Sequence, residues 1–179
     1  MIEIRWHGRG GQGSFTASRI LGAAASVHGG KHAMAFPSFG PERRGAPVAG
    51  FTRISDKKIT DRSEIISPDY VIVLDETLWA NGVTNGLKED TVLIINTDKP
   101  EMYKNLLAQR VVAVDATSIA LDILGLPITN TAMMGAFIAV SGLVSLEDAK
   151  KAIDDNLKPK VAEKNKKLIE KVYDLVKGA

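Results

Sequence analysis

Gly8-Arg9-Gly10-Gly11-Gln12-Gly13 decides the fold because of what flanks it. Upstream, Ile2, Ile4 and Trp6 alternate with Glu3 and Arg5, the two-residue period of a strand. Downstream, Ala17, Ile20, Leu21, Ala24 and Val27 recur at helical spacing until Gly29-Gly30 ends the run. Strand, glycine turn and helix in that order make the context of a phosphate-binding βα unit. Glycines there permit positive φ and close approach of a ligand, and the helix start aims free N–H groups at an anion. Gly8, Gly10, Gly11, Gln12 and Gly13 are therefore candidate anion-binding or interface residues.

A nicotinamide site needs more. It usually carries an acidic residue at the end of the second strand, for the ribose hydroxyl. The second strand predicted here, His32 to Phe36, runs into Pro37-Ser38-Phe39-Gly40 with no carboxylate. Arg9 and Gln12 within the turn suit contact with a neighbouring chain equally well. The loop that follows, Phe36 to Pro47, is stiffened by Pro37, Pro41 and Pro47, which forbid a regular helix or central strand. It reads either as a solvated loop or as a docking surface formed by Phe39, Gly40, Pro41, Glu42 and Gly45, since a pre-ordered loop loses little entropy on binding. Arg43 and Arg44 within it suit a phosphate or carboxylate.

The rest of the chain sets the fold class. Val48 to Ile54 alternates as a strand, Ser55 to Lys58 is a turn, and Ile59-Thr60 is the expected start of an antiparallel return. Tyr70 to Leu74, Thr91 to Ile95 and Val111 to Val114 are continuous apolar runs, as in strands covered on both faces of a parallel sheet. They end at Asp75, at Asn96-Thr97-Asp98 and at Asp115. Glu76 to Asn81 and Glu101 to Leu107 are helical candidates between them. This predicts a doubly wound α/β fold, with a mainly parallel sheet flanked by helices, an antiparallel strand pair and a C-terminal helix. The aspartates border the crevice where such sheets bind ligands, and capping of following helices is the expected role for at least two of them.

Ala116 to Leu124 is a helix ended by Gly125 and Pro127. Ala132 to Val140 is apolar nearly all round and so predicts a buried helix, with Asn130 or Thr131 as N-cap and Gly135 inside. Ser145-Leu146-Glu147-Asp148 opens a helix like a capping box. Pro159 starts and Gly178 stops a last one, with Val161, Leu168, Val172 and Leu175 as its apolar stripe.

Composition bounds the function. The chain has 179 residues, expected as one domain over 1–179, with 45% hydrophobic and 25% charged residues. A net charge of +2 gives no nucleic-acid footprint. The absence of cysteine excludes disulfides, a thiolate-held iron–sulfur cluster and a cysteine nucleophile in this chain. The first residues lack a signal-peptide pattern and the apolar stretches are short of a membrane span, so a cytoplasmic protein with no membrane partner is expected. His28 and His32 have i, i+4 spacing, but Gly29-Gly30 breaks the helix that would make it useful, and no metal site is expected. There is no nucleophile elbow and no Walker lysine, so no catalytic residue is assigned.

The glycine turn, the stretch Phe39-Gly40-Pro41-Glu42-Arg43-Arg44-Gly45, and Asn130 through Gly135-Ala136-Phe137 occur in a telling order. Together they resemble the gamma subunits of the 2-oxoacid:ferredoxin oxidoreductases, most closely those of the pyruvate synthase (pyruvate:ferredoxin oxidoreductase) group. The similarity continues into the final helix, through Pro159, Val161, Glu163 and Asn165. The resemblance implies a complex that oxidatively decarboxylates a 2-oxoacid on thiamine diphosphate. Electrons pass through iron–sulfur clusters to ferredoxin and the acyl group passes to coenzyme A, reversibly. It further implies a heterotetramer in which alpha and beta chains hold the thiamine diphosphate. Beta and delta chains hold the clusters, and the gamma chain is non-catalytic but required. No cofactor is expected on this chain alone, and its lack of cysteine agrees. The alternatives from the residues themselves are a free-standing nucleotide-dependent oxidoreductase and a ligand-sensing nucleotide-binding domain.

Overall fold

The computed structural model describes residues 1–38, 44–103 and 110–179. Strand β1 (Ile2–Arg9) lies inside a six-stranded sheet. β2 (His32–Pro37) and β3 (Pro47–Ser55) lie on one side of it. β4 (Tyr70–Val73), β5 (Val92–Asn96) and β6 (Arg110–Val114) lie on the other. The order is β2-β3-β1-β4-β5-β6. β1 pairs parallel with β4, and β4, β5 and β6 continue in parallel. β3 runs antiparallel to both β1 and β2. The chain therefore leaves β1 in one direction and later adds strands in the other, which makes the β1/β4 boundary the switch point of the sheet.

The mainly parallel sheet with flanking helices and a C-terminal helix is as predicted. The antiparallel partner differs. Ile59-Thr60 forms no strand, because both edges of β3 are already occupied, Ile54 opposite Ile2 and Ser55 opposite His32.

The described residues form five α-helices: α1 (Ser14–Ala23), α2 (Ala116–Leu124), α3 (Asn130–Ser141), α4 (Leu146–Asn156) and α5 (Pro159–Lys177). All contribute to one core with Ile4 and Trp6 of β1, Ile54, Ile72, Leu74 and Ile94. The alternate residues Val71, Val73, Leu93 and Ile95 form a second core on the opposite face with Leu78, Val83 and Tyr103. Burial on both faces explains why β4 and β5 read as unbroken apolar runs. The second face is covered by a 3-10 turn (Glu76–Leu78) and a π-helical turn (Trp79–Val83) in place of the predicted regular helix. Gly82, at φ +80°, stops a longer helix there. Of the helix expected over Glu101–Leu107, a 3-10 turn Pro100–Met102 is present; residues 104–107 lie outside the described ones.

The first helix is regular only to Ala23. A π-helical turn (Ala24–His28) follows, and its wider winding rotates Val27 out to solvent instead of into the core. α3 is buried from Asn130 to Ile138, as its all-round apolarity predicts. Its Phe137 meets Tyr70 edge-on at 5.1 Å and Trp6 at 6.5 Å. Its N-cap position is Thr129, without a side-chain cap bond, not Asn130 or Thr131. The Asn130 amide is engaged elsewhere, as described below. Ser145 does cap α4, accepting from the Asp148 N–H at 3.0 Å.

The inward stripe of α5 is Ala162, Asn165, Leu168, Ile169 and Val172, while Val161 and Leu175 are exposed. The helix is turned so that Asn165 accepts the Thr131 hydroxyl and Ile169 lies against Gly135.

The back of the antiparallel half is held by two buried arginines. Arg53 pairs with Glu3 at 2.8 Å and donates to the carbonyls of Asp61 and Ser63 at 3.1 and 2.8 Å. Arg5 donates to the carbonyls of Val83 and Asn85 at 2.9 and 2.7 Å. Irregular backbone between β3 and β4, served by Arg53, and between β4 and β5, served by Arg5, thereby finds donors that no strand supplies.

Candidate functional site

The glycine turn lies at the C-terminal end of β1, on the switch-point edge. Gly11 and Gly13 adopt φ of +98° and +80°, which only glycine takes without strain. Gly10 bridges to Arg44: its N–H donates to the Ala46 carbonyl at 2.9 Å and its carbonyl accepts the Gly45 N–H at 3.0 Å. The end of the proline-rich loop is thereby laced to the turn.

Inside the turn the Gln12 side chain folds back. Its Oε1 accepts the Arg9 N–H at 2.7 Å, and its Nε2 donates to Asp75 Oδ2 at 2.9 Å. Arg9 reaches the same carboxylate through Nε at 3.1 Å, the Gly45 carbonyl through Nη1 and the Thr77 hydroxyl through Nη2. Asp75 also caps the Glu76–Leu78 turn by accepting the Thr77 N–H at 3.0 Å. Burial alone would raise the Asp75 carboxyl. Hydrogen bonds from Thr77 and Gln12 and the charge of Arg9 outweigh burial and hold it below the usual carboxylate range.

Asn130 joins from the far end of the sequence. Its Nδ2 donates to the Gly13 carbonyl at 3.4 Å, and its Oδ1 accepts the Thr131 N–H. A Cβ on Gly13 would stand 2.6 Å from that Nδ2, so the turn and the start of α3 fit only with glycine there.

A cleft of about 450 Å³ opens along the carboxyl ends of β4, β5 and β6, with Gln12 at one end. Asp75, Glu76, Asp98 and Asp115 line it. Asp115 caps α2 through the Ser118 N–H, so two of the three strand-end aspartates are caps, as expected, while Asp98 lies 3.8 Å from Lys99. Four carboxylates make this cleft a poor place for phosphate, and Arg9 is already committed to Asp75. Arg44 is exposed, has no ion pair among the described residues and does not line the cleft. Phe39, Gly40, Pro41, Glu42 and Arg43 lie outside the described residues. Gly45 is described, at φ +75°.

His7 immediately precedes the turn, on the back face of β1, beside a cavity of about 230 Å³ shared with Ser38 and Asn81. Burial, then the positive charge of Arg5, push its pKa down to about 4, and the Arg5 Nε donates to its Nε2 at 3.0 Å. The unfolded chain takes up this proton near pH 6.5 and the folded one near 4. Stability should therefore be full above about pH 6.5 and fall as pH drops through that interval to 4. Urea melts of wild type and His7→Gln between pH 4 and 7 check this. The variant, which still offers an acceptor to Arg5, should show a flatter profile; identical slopes would remove His7 as the cause.

Two residues of this site went unassigned in the sequence, Arg9 as a fixed strut and Asp75 as its hub. Asp75 was visible as a strand-end aspartate. Its partnership with the turn depends on β1 and β4 being neighbours, which no local pattern states. His28 and His32 do not converge: His28 pairs with Asp155 at 2.7 Å. Among the described residues no group of three or more potential ligands is arranged for a metal, and no helix is long and apolar enough to cross a membrane.

Fold and site together define a switch-point α/β chain whose glycine turn is braced by its own arginine, glutamine and aspartate. The family model for pyruvate ferredoxin/flavodoxin oxidoreductase matches residues 3–175. Pyruvate synthase subunit PorC of Methanocaldococcus jannaschii is 56% identical over 175 residues, covering 97% of this chain and 96% of the relative. The pyruvate/ketoisovalerate oxidoreductases common subunit gamma of Pyrococcus furiosus is 49% identical, covering 97% and 96%. The crystal structure of pyruvate oxidoreductase subunit PORC from Thermotoga maritima superposes with a TM-score of 0.84 at 40% identity, covering 97% of this chain and 95% of that one. The chain belongs to the pyruvate ferredoxin/flavodoxin oxidoreductase family, and its full-length relatives are gamma-type subunits of such complexes.

Proposed function

We propose that this chain is the gamma subunit of a cytoplasmic heterotetramer that oxidatively decarboxylates pyruvate, or a related 2-oxoacid, to acyl-coenzyme A and reduces ferredoxin. The observation that carries the proposal is end-to-end similarity, in sequence and in fold, to gamma chains of enzymes with that activity. Alpha, beta and delta chains are its partners, and they carry thiamine diphosphate and the iron–sulfur clusters. This chain has no cysteine with which to hold a thiolate-bound cluster. Nothing in the comparisons favours a free-standing nucleotide-dependent enzyme or a sensing domain. Anaerobic co-purification from native cells tests the proposal. Recovery of the other three chains in equal amount, with pyruvate-dependent dye reduction, is the expected result; recovery of the chain alone would refute it.

The braced glycine turn and the loop laced to it serve, in this reading, as a subunit-contact edge. A second role rests on one observation, the exposed Arg44 beside Gly10 with no ion pair among the described residues. An exposed guanidinium fork suits a phosphate such as those of coenzyme A, whereas the acidic cleft does not fit one. Arg43→Ala with Arg44→Ala should raise the KM for coenzyme A about tenfold, the loss of one or two charge-assisted bonds, and leave pyruvate decarboxylation nearly unchanged. Failure to assemble would assign the pair to subunit contact instead. Unchanged assembly with unchanged coenzyme A kinetics would remove it from both roles.

A further inference from the structure

A second surface lies on the opposite side of the 125–130 segment and meets the glycine turn only through Asn130. Residues of this segment alternate: Pro127 and Thr129 line the acidic cleft, and Leu126 and Ile128 line an apolar groove of about 360 Å³ against α5. Leu126, Ile128 and Val161 keep 55%, 43% and 48% of their surface exposed. The rim is cationic. Lys160 and Lys164 border the groove with no carboxylate partner among the described residues. On α4 and α5, Lys166 pairs with Asp154 at 2.7 Å, Lys167 with Glu163 at 3.5 Å, Lys150 with Glu170 at 3.0 Å and Lys151 with Asp148 at 3.3 Å, while Lys171 and Lys177 have no carboxylate partner among the described residues. What sets Lys160 and Lys164 apart is their position, at the border of a groove whose Leu126, Ile128 and Val161 are exposed.

We propose that this groove seats an acidic amphipathic segment of another subunit, with apolar side chains between Ile128 and Val161 and carboxylates on Lys160 and Lys164. The partner's being a subunit rests on the function proposed above. The chemistry of the segment comes from the groove: an open apolar trough takes helical anchors three or four residues apart, and its charged rim selects the opposite sign. A second copy of this chain fits poorly, because a two-fold contact on this face would set lysines against lysines. A small amphipathic anion also fits poorly, since small-molecule sites bury most of their ligand and these walls stay half exposed.

Two variants of the full chain, assembled with the other subunits, test it. With p-benzoylphenylalanine in place of Val161, irradiation should link the chain to one segment of another subunit that carries Asp or Glu beside apolar residues. Lys160→Glu with Lys164→Glu should weaken assembly about tenfold at low salt, with the deficit shrinking as salt screens the contact. Cross-linking to a second copy, or to no subunit, overturns the inference, as does undiminished assembly of the charge-reversed chain. If the wild-type chain itself fails to assemble, the proposed function falls and this inference with it. If it assembles and the variants behave like wild type, only this inference falls.

Discussion

Gly135→Ala destabilises the chain by about 2 kcal/mol, although the same change inside an ordinary helix is stabilising. Replacing glycine by alanine in a helix interior gains about 1 kcal/mol in backbone entropy. At this position a Cβ would stand 2.6 Å from the carbonyl oxygen of Ile169 and 3.0 Å from its side chain. The obstacle is the backbone of α5, so relief requires moving a helix that also carries Leu168 and Val172 in the core. Overpacking of that kind costs about 3 kcal/mol and exceeds the entropic gain. Gly135→Val adds bulk and a β-branch and should cost about 4 kcal/mol or more. Urea titrations of both variants decide the matter through their midpoints at constant slope. A higher midpoint for Gly135→Ala would show that α3 and α5 do not approach as closely as described.

Arg53→Ala lowers stability by about 4 kcal/mol, the scale for breaking a buried pair from one side. The guanidinium is nearly inaccessible, and its loss strands the Glu3 carboxylate as well as the Asp61 and Ser63 carbonyls. A local readout accompanies the global one. The covering segment contains Lys57, Lys58 and Arg62, so trypsin should cut there faster in the variant under native conditions. Wild-type stability and wild-type cleavage rates in Arg53→Ala would mean that other contacts hold the segment. Arg53→Lys should recover only part of the loss, because one ammonium cannot reproduce a planar fork aimed at three acceptors.

Arg53 also shows where the sequence stops being legible. The run Val48 to Ile54 reads correctly as an alternating strand, but alternation only groups Arg53 with Ala49 and Phe51 and says nothing of the irregular segment that later buries it. The parallel strands were legible because burial on both faces leaves an apolar run. The α2 boundaries were legible because Asp115 and Gly125 act locally as cap and stop. The predicted stripe on α5 failed at its two ends, since Val161 and Leu175 are apolar by composition and exposed by helix rotation. The glycine turn was found from its flanks. Its real bracing, by Asp75 just after β4 and Asn130 from α3, spans 63 and 117 residues of sequence from its partners in the turn. Non-local pairing of this kind leaves no period to read.

The burial of α3 has a consequence for how the molecule comes into being. Ile4, Trp6 and Ile72 share a core with α3, α4 and α5, all of which lie after residue 129. While the chain emerges from the ribosome, a sheet face carrying Trp6 and several isoleucines has only the partial cover of α1 and α2. Residues 130–177 close that face, and α3, apolar on every side, has nowhere else to go in water. Until α3, α4 and α5 are in place, that face is the aggregation-exposed side of the sheet.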